Sequence, residues 1–320
     1  MVEKYQFLGV EAIIASPRMR ELFQQVRKAA QSSASVLLIG ESGTGKEIIA
    51  RAIHHDSVRK LKPFVDLSCG TLPKELVESE LSGHVRGVFS GAHATRQGLF
   101  ELAQEGSLFL DDIGALDPKL QSKLLRVLDT GMFFRLGAVK QTKADIRIIA
   151  ATNRPLLQSV RDGGFREDLY RRIGQITLTI PPLRERPEDI EALANHFLAQ
   201  QNPELRFASD AIMALYSYHW PGNVRELRNT VFRSSLAAKG PLLHADDIVF
   251  RLRRLHSPEN HAEERGIEGL EQTMIRRALE DSGGHRQRTA ESLGISRTTL
   301  SRKIRGYGLN VSAQLQRRPA

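Results

Sequence analysis

Seven residues constrain this chain more than any other stretch: GESGTGK, Gly40 to Lys46. They follow an apolar run, SVLLIG, and precede KEIIARAIHH, whose apolar residues recur at helical spacing. A strand that ends in such a loop and continues as a helix makes a cradle for phosphate. The glycines let successive N–H groups curl around an anion, the helix points its positive end at it, and the lysine reaches the outer phosphate oxygens. Gly40, Glu41, Ser42, Gly43, Thr44, Gly45 and Lys46 are therefore assigned to ATP or GTP. One position departs from the general pattern, which places Ser or Thr after the lysine: here Glu47 stands there.

A cradle of this kind sits on a parallel sheet, and the chain supplies the strands. PFVDLS, GSLFLDD, DIRIIAATN and ITLTI are short apolar runs alternating with amphipathic segments such as LQSKLLRVLDTG. That order predicts a largely parallel α/β sheet covered on both faces. SLFLDDI delivers paired acids to the carboxyl edge of the sheet, so Asp111 is the candidate for coordinating Mg²⁺ through water and Asp112 for polarising the attacking water. Asn153, which closes DIRIIAATN, stands where an amide can meet the γ-phosphate or its water. FREDLYRRIG places Arg166, Arg171 and Arg172 before a strand, where a subunit interface can carry a guanidinium onto a neighbour's γ-phosphate. Pairing with Glu167 or Asp168 is the plainer alternative. Arg225, in WPGNVREL, opens a later helix and reads either as a sensor reaching back to the nucleotide or as an ion-pair partner of Glu226.

After PPLRERPEDI the strand signals fade, and IEALANHFLAQ, SDAIMALYSYH and NVRELRNTVFRSSLAAKG keep helical spacing. RLRRLHSPENHAEERG is polar, charged and proline-containing, the mark of a linker. The predicted organisation is an α/β nucleotide-binding part over 1–182, with residues 1–20 as a lead-in, then a helical part over 183–250, a linker over 251–266 and a last module over 267–320.

The net charge of +9 is concentrated in that last module: between residues 282 and 320 eight arginines and lysines face a single acid, Glu291, a local balance of +7. QRTAESLGISRTTLSRKIRGYGL reads as a short helix, a glycine turn and a second helix capped by Ser296. Ala290, Leu293, Ile295, Leu300 and Ile304 fall on its buried side. Arg286, Arg288, Arg297, Thr298, Thr299, Ser301, Arg302 and Arg305 remain for base edges or phosphates of double-stranded DNA. The preceding EQTMIRRALEDSGG is apolar at Met274, Ile275, Ala278 and Leu279, more than a small module needs, and predicts a dimer matched to palindromic half-sites. One cysteine, Cys69, excludes an intramolecular disulfide and a four-cysteine zinc site. No apolar run approaches the roughly 20 residues that span a bilayer. The expectation is a cytoplasmic protein with no membrane partner.

GESGTGKE, LSGHVRGVFSGA, GSLFLDDI, FREDLYRRIG, PPLRERPEDI, WPGNVREL and GHRQRTAESLGISRTTLSRKIRGYGL, in this order across residues 8–309, resemble the bacterial enhancer-binding activators of the sigma-54 RNA polymerase. The resemblance implies an AAA+ P-loop core, a small all-helical lid and a separate Fis-type helix-turn-helix. It implies hydrolysis of ATP to ADP and phosphate, with Mg²⁺, used to remodel a closed promoter complex to the open one. It further implies a ring, commonly a hexamer, in which Arg166 and Arg172 act on the adjacent subunit's ATP, Arg225 is the lid sensor, and Glu47 is ordinary. Gly87, Val88, Phe89, Ser90, Gly91 and Ala92 stand where the family has GAFTGA, the loop tip that engages the sigma factor.

Four positions depart from the family. Ser90 replaces threonine, Val88 replaces alanine, Asp112 replaces glutamate, and Ser68 replaces the asparagine that holds that glutamate. Asp112 and Ser68 read either as a compensated pair or as signs of relaxed ATPase function. At most about 20 residues precede the ATPase here, too few for the response-regulator or sensory domain that many members carry, so control is expected from a separate protein, from expression level or from a partner subunit; a natural or engineered truncation would read the same. Two other readings remain: a regulator independent of sigma-54 whose ATPase domain only gates assembly, and a co-activator that works in a mixed ring.

Overall fold

A computed structural model describes residues 2–250 and, beyond them, positions of a small module between 275 and 306. The two belong to separate compact units, residues 1–250 and 251–320. The expected linker, 251–266, lies outside the described residues.

The first unit opens with β1 (Glu3–Phe7) and β2 (Val10–Ile14), then α1 (Pro17–Ala30), β3 (Val36–Ile39), α2 (Lys46–His55), β4 (Phe64–Ser68) and α3 (Lys74–Ser82). A short pair, β5 (Gly83–His84) and β6 (Arg96–Gln97), precedes α4 (Leu99–Leu102) and β7 (Ser107–Asp111). Helix α5 (Pro118–Thr130) leads into the hairpin β8 (Met132–Phe134) and β9 (Gln141–Lys143). The α/β part closes with β10 (Arg147–Thr152), α6 (Leu156–Arg161), α7 (Glu167–Ile173) and β11 (Ile176–Thr179). The lid that follows comprises α8 (Glu188–Gln201), β12 (Arg206–Phe207), α9 (Ser209–Ser217), α10 (Asn223–Ala237) and β13 (Leu242–Leu243).

The central sheet has five strands in the order β11-β3-β10-β7-β4, all parallel. This order sets the site: β10 separates β3 from β7, so the loop after β3, Asn153 after β10 and the acids of β7 share one edge. The three central strands, β3, β10 and β7, are buried on both faces, and strand alternation divides their side chains. Leu108, Leu110, Ile148 and Ala150 enter one core with Phe100 and Leu124. Phe109, Ile149 and Ala151 enter the other, with Phe23, Val26 and Ile53. Each Leu, Ile, Val or Phe among them contributes about 1.5–3 kcal/mol by leaving water. Arg147 departs from the apolar pattern of β10. Its guanidinium is buried and donates to the carbonyls of Ala29 (2.7 Å), Ala30 (3.1 Å) and Ala34 (3.2 Å). There it satisfies the open end of α1, although burial lowers its pKa to about 10.

Residues 1–20 are not a lead-in. β1 and β2 form an antiparallel hairpin, with Phe7 and Ile14 in the second core. The turn that joins them is Leu8–Gly9, both at positive φ (48° and 81°). Such a turn is usually signalled by Asn-Gly or Asp-Gly, and a leucine in the left-handed region hides it from a sequence reading.

The lid packs around Trp220, which is fully buried among Leu183, Leu198, Leu215 and Leu227 and donates from Nε1 to the Leu215 carbonyl at 2.9 Å. In the second unit, α11 (Arg286–Ser292) and α12 (Arg297–Gly306) form a helix pair. Its core holds Ile275, Leu279, Ala290, Leu300 and Ile304, with Leu293 and Ile295 beside them. The excess apolar surface expected of the preceding segment is thus partly used at home, because Ile275 and Leu279 are buried within their own module. Met274 lies outside the described residues.

Candidate functional site

The Gly40–Lys46 loop leaves β3 at Gly40, whose N–H donates to the Thr152 carbonyl of β10 (3.2 Å), and enters α2 through Gly45. Gly43 and Gly45 take φ of 79° and 103°, conformations open to glycine at little cost. Lys46 Nζ donates to the carbonyls of Gly40 (2.9 Å) and Glu41 (3.0 Å). Burial lowers its pKa, and Asp111 opposes that shift. Thr44 is buried and donates its hydroxyl to the Glu41 carbonyl at 2.9 Å. Glu47 turns along its own helix and accepts from Arg51, one turn on, at 2.7 and 3.0 Å.

The lid grips this loop. Val224 N–H donates to the Gly43 carbonyl (3.0 Å), and Asn223 Nδ2 to the Ser42 carbonyl (3.0 Å) and Glu41 Oε2 (3.1 Å). Asn223 holds φ at 52° and accepts from Leu183 N–H at 2.7 Å, which fixes its amide toward the loop. Arg184 makes a two-pronged pair with Glu41 (2.6 and 2.9 Å) that keeps the glutamate pKa below its usual value. Arg225 reaches Ser42 Oγ at 3.0 Å. It does not pair with Glu226, whose carboxylate accepts from Gly222 N–H (2.7 Å) and Tyr218 Oη (3.1 Å). Arg186, buried, donates to the Thr44 carbonyl at 2.8 Å and lies 3.6 Å from Asp189. Asp189, fully buried, accepts from Ala15 N–H (2.7 Å), Ser16 N–H (2.7 Å) and Ser16 Oγ (2.9 Å). One chain of bonds therefore joins the start of α1, the start of α8 and the phosphate loop.

On the other side of β10, Asp111 ends β7 and accepts from Asp112 N–H at 3.0 Å. Asp112 adopts φ 52°, and its Oδ1 is sealed from solvent with no hydrogen-bond partner among the described residues. Among the described residues no hydrogen bond joins it to Ser68. Cys69 donates its N–H to the Asp111 carbonyl (2.9 Å). Burial, reinforced by Asp112 and Asp111, pushes its thiol up to about 12. Asn153 is exposed just after β10.

All three arginines of FREDLYRRIG are engaged within the chain. Arg166 pairs with Asp168 at 2.7 and 3.0 Å, and Arg171 with Glu167 at 2.6 Å. Arg172 donates to the Leu128 carbonyl (2.7 Å) and pairs with Asp129 (3.2 Å). Each side chain keeps 41–76% of its surface exposed, as a group able to exchange partners must.

The Gly87–Ala92 segment is a closed turn above β5 and β6, tied by Gly87 N–H to the Ala92 carbonyl (2.9 Å) and Ala92 N–H to the Phe89 carbonyl (3.0 Å). Gly87 and Gly91 sit at φ 84° and 110°. Phe89 is 45% exposed and packs one edge against His84, ring centres 5.0 Å apart. Val88 leans on the β8–β9 hairpin, where a Cβ on Gly137 would lie 2.7 Å from Val88 Cγ2. Ser90 is exposed and Ala92 buried.

In the second unit Ser296 Oγ accepts from Thr299 N–H at 3.1 Å, the cap expected for α12. Arg286, Arg288 and Arg297 are exposed, while Thr299 and Ser301 are half-buried. Thr298, Arg302 and Arg305 lie on α12, and nothing further is assigned to their side chains.

Residues 12–179 match the sigma-54 interaction domain, residues 184–265 the AAA+ ATPase lid domain, and residues 266–307 the bacterial regulatory protein, Fis family. The chain belongs to the sigma-54-dependent activator family. It is 45% identical over 310 residues to regulatory protein AtoC of Escherichia coli (strain K12), covering 92% of this chain and 67% of that one. It is 41% identical over 317 residues to nitrogen fixation protein AnfA of Azotobacter vinelandii, covering 96% and 59%. The crystal structure of NtrX from Brucella abortus in complex with ATP shares 33% identity and a TM-score of 0.67, covering 92% of this chain and 68% of NtrX. The chain thus spans 59–68% of the length of these proteins. With the family come an ATP-binding AAA+ domain and a DNA-binding helix-turn-helix.

Sequence reasoning missed Arg184, Arg186 and Asn223. Both arginines stand in PPLRERPEDI, a proline-rich turn that also carries Glu185, Glu188 and Asp189. The asparagine of WPGN was visible as a residue suited to positive φ.

Proposed function

We propose that this protein hydrolyses ATP on assembled rings and uses the cycle to press the Gly87–Ala92 loop against sigma-54, opening a promoter complex from DNA sites held by Arg286, Arg288, Arg297, Thr298, Thr299, Ser301, Arg302 and Arg305. The observation that carries this reading is Phe89: a large apolar side chain, 45% exposed, on a turn closed by its own backbone bonds and touching His84 and the β8–β9 hairpin. An aromatic kept half in water at a glycine-hinged tip serves contact better than stability. The domain boundaries proposed from sequence, at 182/183, 250/251 and 266/267, go with this division of labour.

The phosphate loop and Lys46 bind the nucleotide, with N–H groups at the start of α2 facing the phosphates. Among the described residues no three His, Cys, Asp or Glu gather to hold a metal alone. A Mg²⁺ shared with nucleotide phosphates needs only one or two carboxylates, and Asp111, part-exposed at the sheet edge, fits that donor set. When bound, the ion neutralises charge on the β- and γ-phosphates. Asp112 orients the attacking water and Asn153 supports it. Arg166 and Arg172 leave Asp168 and Asp129 to meet the neighbouring subunit's γ-phosphate, and Arg225 reports nucleotide state to the lid. Electrostatic groups already aimed at the transferring phosphoryl are the main source of rate in such chemistry.

Single-round transcription from a sigma-54 promoter tests the reading, with ATP, a non-hydrolysable analogue, and the Phe89→Ala protein. Open complexes are expected only with ATP and Phe89. Transcripts with the analogue, or undiminished by Phe89→Ala, would refute it.

A further inference from the structure

Asp112 lies between the ends of the two strands that flank β7. On one side, after β4, is Gly70: a Cβ there would sit 2.7 Å from Asp112 Oδ2. On the other, after β10, is Arg154, whose Nε lies 3.7 Å from Asp112 Oδ1. That oxygen is the one sealed from solvent without a hydrogen bond among the described residues. A carboxylate oxygen withdrawn from water needs a donor or a cation close by. Arg154 is in ion-pair range yet beyond hydrogen-bond length, and its side chain is 54% exposed. Ser68 contributes no bond to this carboxylate. Asp111, which accepts the Asp112 N–H, fixes the backbone but not the carboxylate.

We infer that Gly70 and Arg154 together seat the Asp112 carboxylate, Gly70 by leaving room for Oδ2 and Arg154 by orienting Oδ1, so that Arg154 is a positioning residue for hydrolysis. The inference rests on the ATPase reading above. A carboxylate one methylene short of glutamate has less reach, and its rate depends on where its neighbours hold it. A displacement near 1 Å at such a group changes rates on the order of 10²-fold. A plain surface pair between Arg154 and Asp112 would instead be worth about 0–1 kcal/mol and leave turnover untouched.

The test uses the full chain and two readouts, steady-state ATP hydrolysis and titration with a fluorescent ADP analogue. Arg154→Gln is expected to lower kcat at least about 10-fold while KM and ADP-analogue affinity stay within about twofold. Arg154→Lys should recover most of the loss, and Gly70→Ala should reproduce it with analogue binding intact. In the Asp112→Asn background, adding Arg154→Gln should change little, because both act through one carboxylate. Unchanged kcat in Arg154→Gln, a fully additive double variant, or weakened analogue binding would each overturn the assignment. Lys46→Ala sets the background: a parent chain no faster than this variant sinks the ATPase reading and the inference with it. An active parent matched by Arg154→Gln sinks the inference alone.

Discussion

A methyl added at Gly43 would lie 2.3 Å from the Gly222 carbonyl of the lid, whereas at Gly87 or Gly91 it would meet nothing within 4 Å. All three glycines are at positive φ, yet they answer different needs. In the phosphate loop glycine permits contact: the lid comes down onto the chain, and donors from Asn223, Val224, Arg186 and Arg225 close on its carbonyls and on Ser42. In the surface turn glycine permits conformation, with open space around it. The first loop is positioned by residues far away in sequence, and the second chiefly by itself. On the proposed function, a site that holds phosphate in place and a tip that moves are expected to differ in this way.

The contrast can be broken most forcefully at Asp189. Asp189→Ala leaves the buried Arg186 without its carboxylate and strips three bonds from the start of α1. A loss of about 3–5 kcal/mol is expected in urea unfolding. Gly43→Ala comes next, since it combines a left-handed penalty of about 1–2 kcal/mol with overpacking of about 1–3 kcal/mol. Titration with a fluorescent ADP analogue should show nucleotide binding lost. Gly91→Ala bears only the left-handed penalty, about 1–2 kcal/mol, and analogue binding should match the parent. Equal damage from the two glycine variants would erase the distinction.

The smallest effect concerns Glu41. Arg184, then Asn223, holds its pKa below the usual 4.5. Its contribution is therefore present above that value and is lost as pH falls through the lowered folded-state value. Glu41 is 43% exposed, so solvent screening limits the effect to about 1 kcal/mol or less. Melting temperatures followed from about pH 6 down to about pH 3 should fall less steeply in Glu41→Gln than in the parent.

The same division explains what the sequence made legible. The phosphate loop, the five core strands and the paired acids are local patterns, each set by residues within a few positions of one another. The helix pair of the second unit was legible for the same reason, down to the Ser296 cap. The clasp was not: Arg184 meets Glu41 across 143 residues and Asn223 meets Ser42 across 181, and no spacing rule announces such pairs. Gly70 also escaped notice, because its closeness to Asp112, where a Cβ would lie 2.7 Å from Oδ2, exists only in the fold. The β1–β2 hairpin was hidden by Leu8 at a position where asparagine or aspartate is the usual sign. Ser68 and Asp112 stood out in the sequence as departures, but that Arg154 lies 3.7 Å from the Asp112 carboxylate could be read only from the fold.

The central claim is that the gripped loop governs the free one: nucleotide at Lys46 and the lid decides whether Phe89 can engage sigma-54. Its most direct test is the binding of purified sigma-54 to the full chain, measured with no nucleotide, with ADP, and with a transition-state analogue of phosphoryl transfer, for the parent, Lys46→Ala and Phe89→Ala proteins. The account predicts sigma-54 binding that rises with the transition-state analogue in the parent and stays at background in both variants. Binding of equal strength in all three nucleotide conditions, or retained by Lys46→Ala, would contradict it.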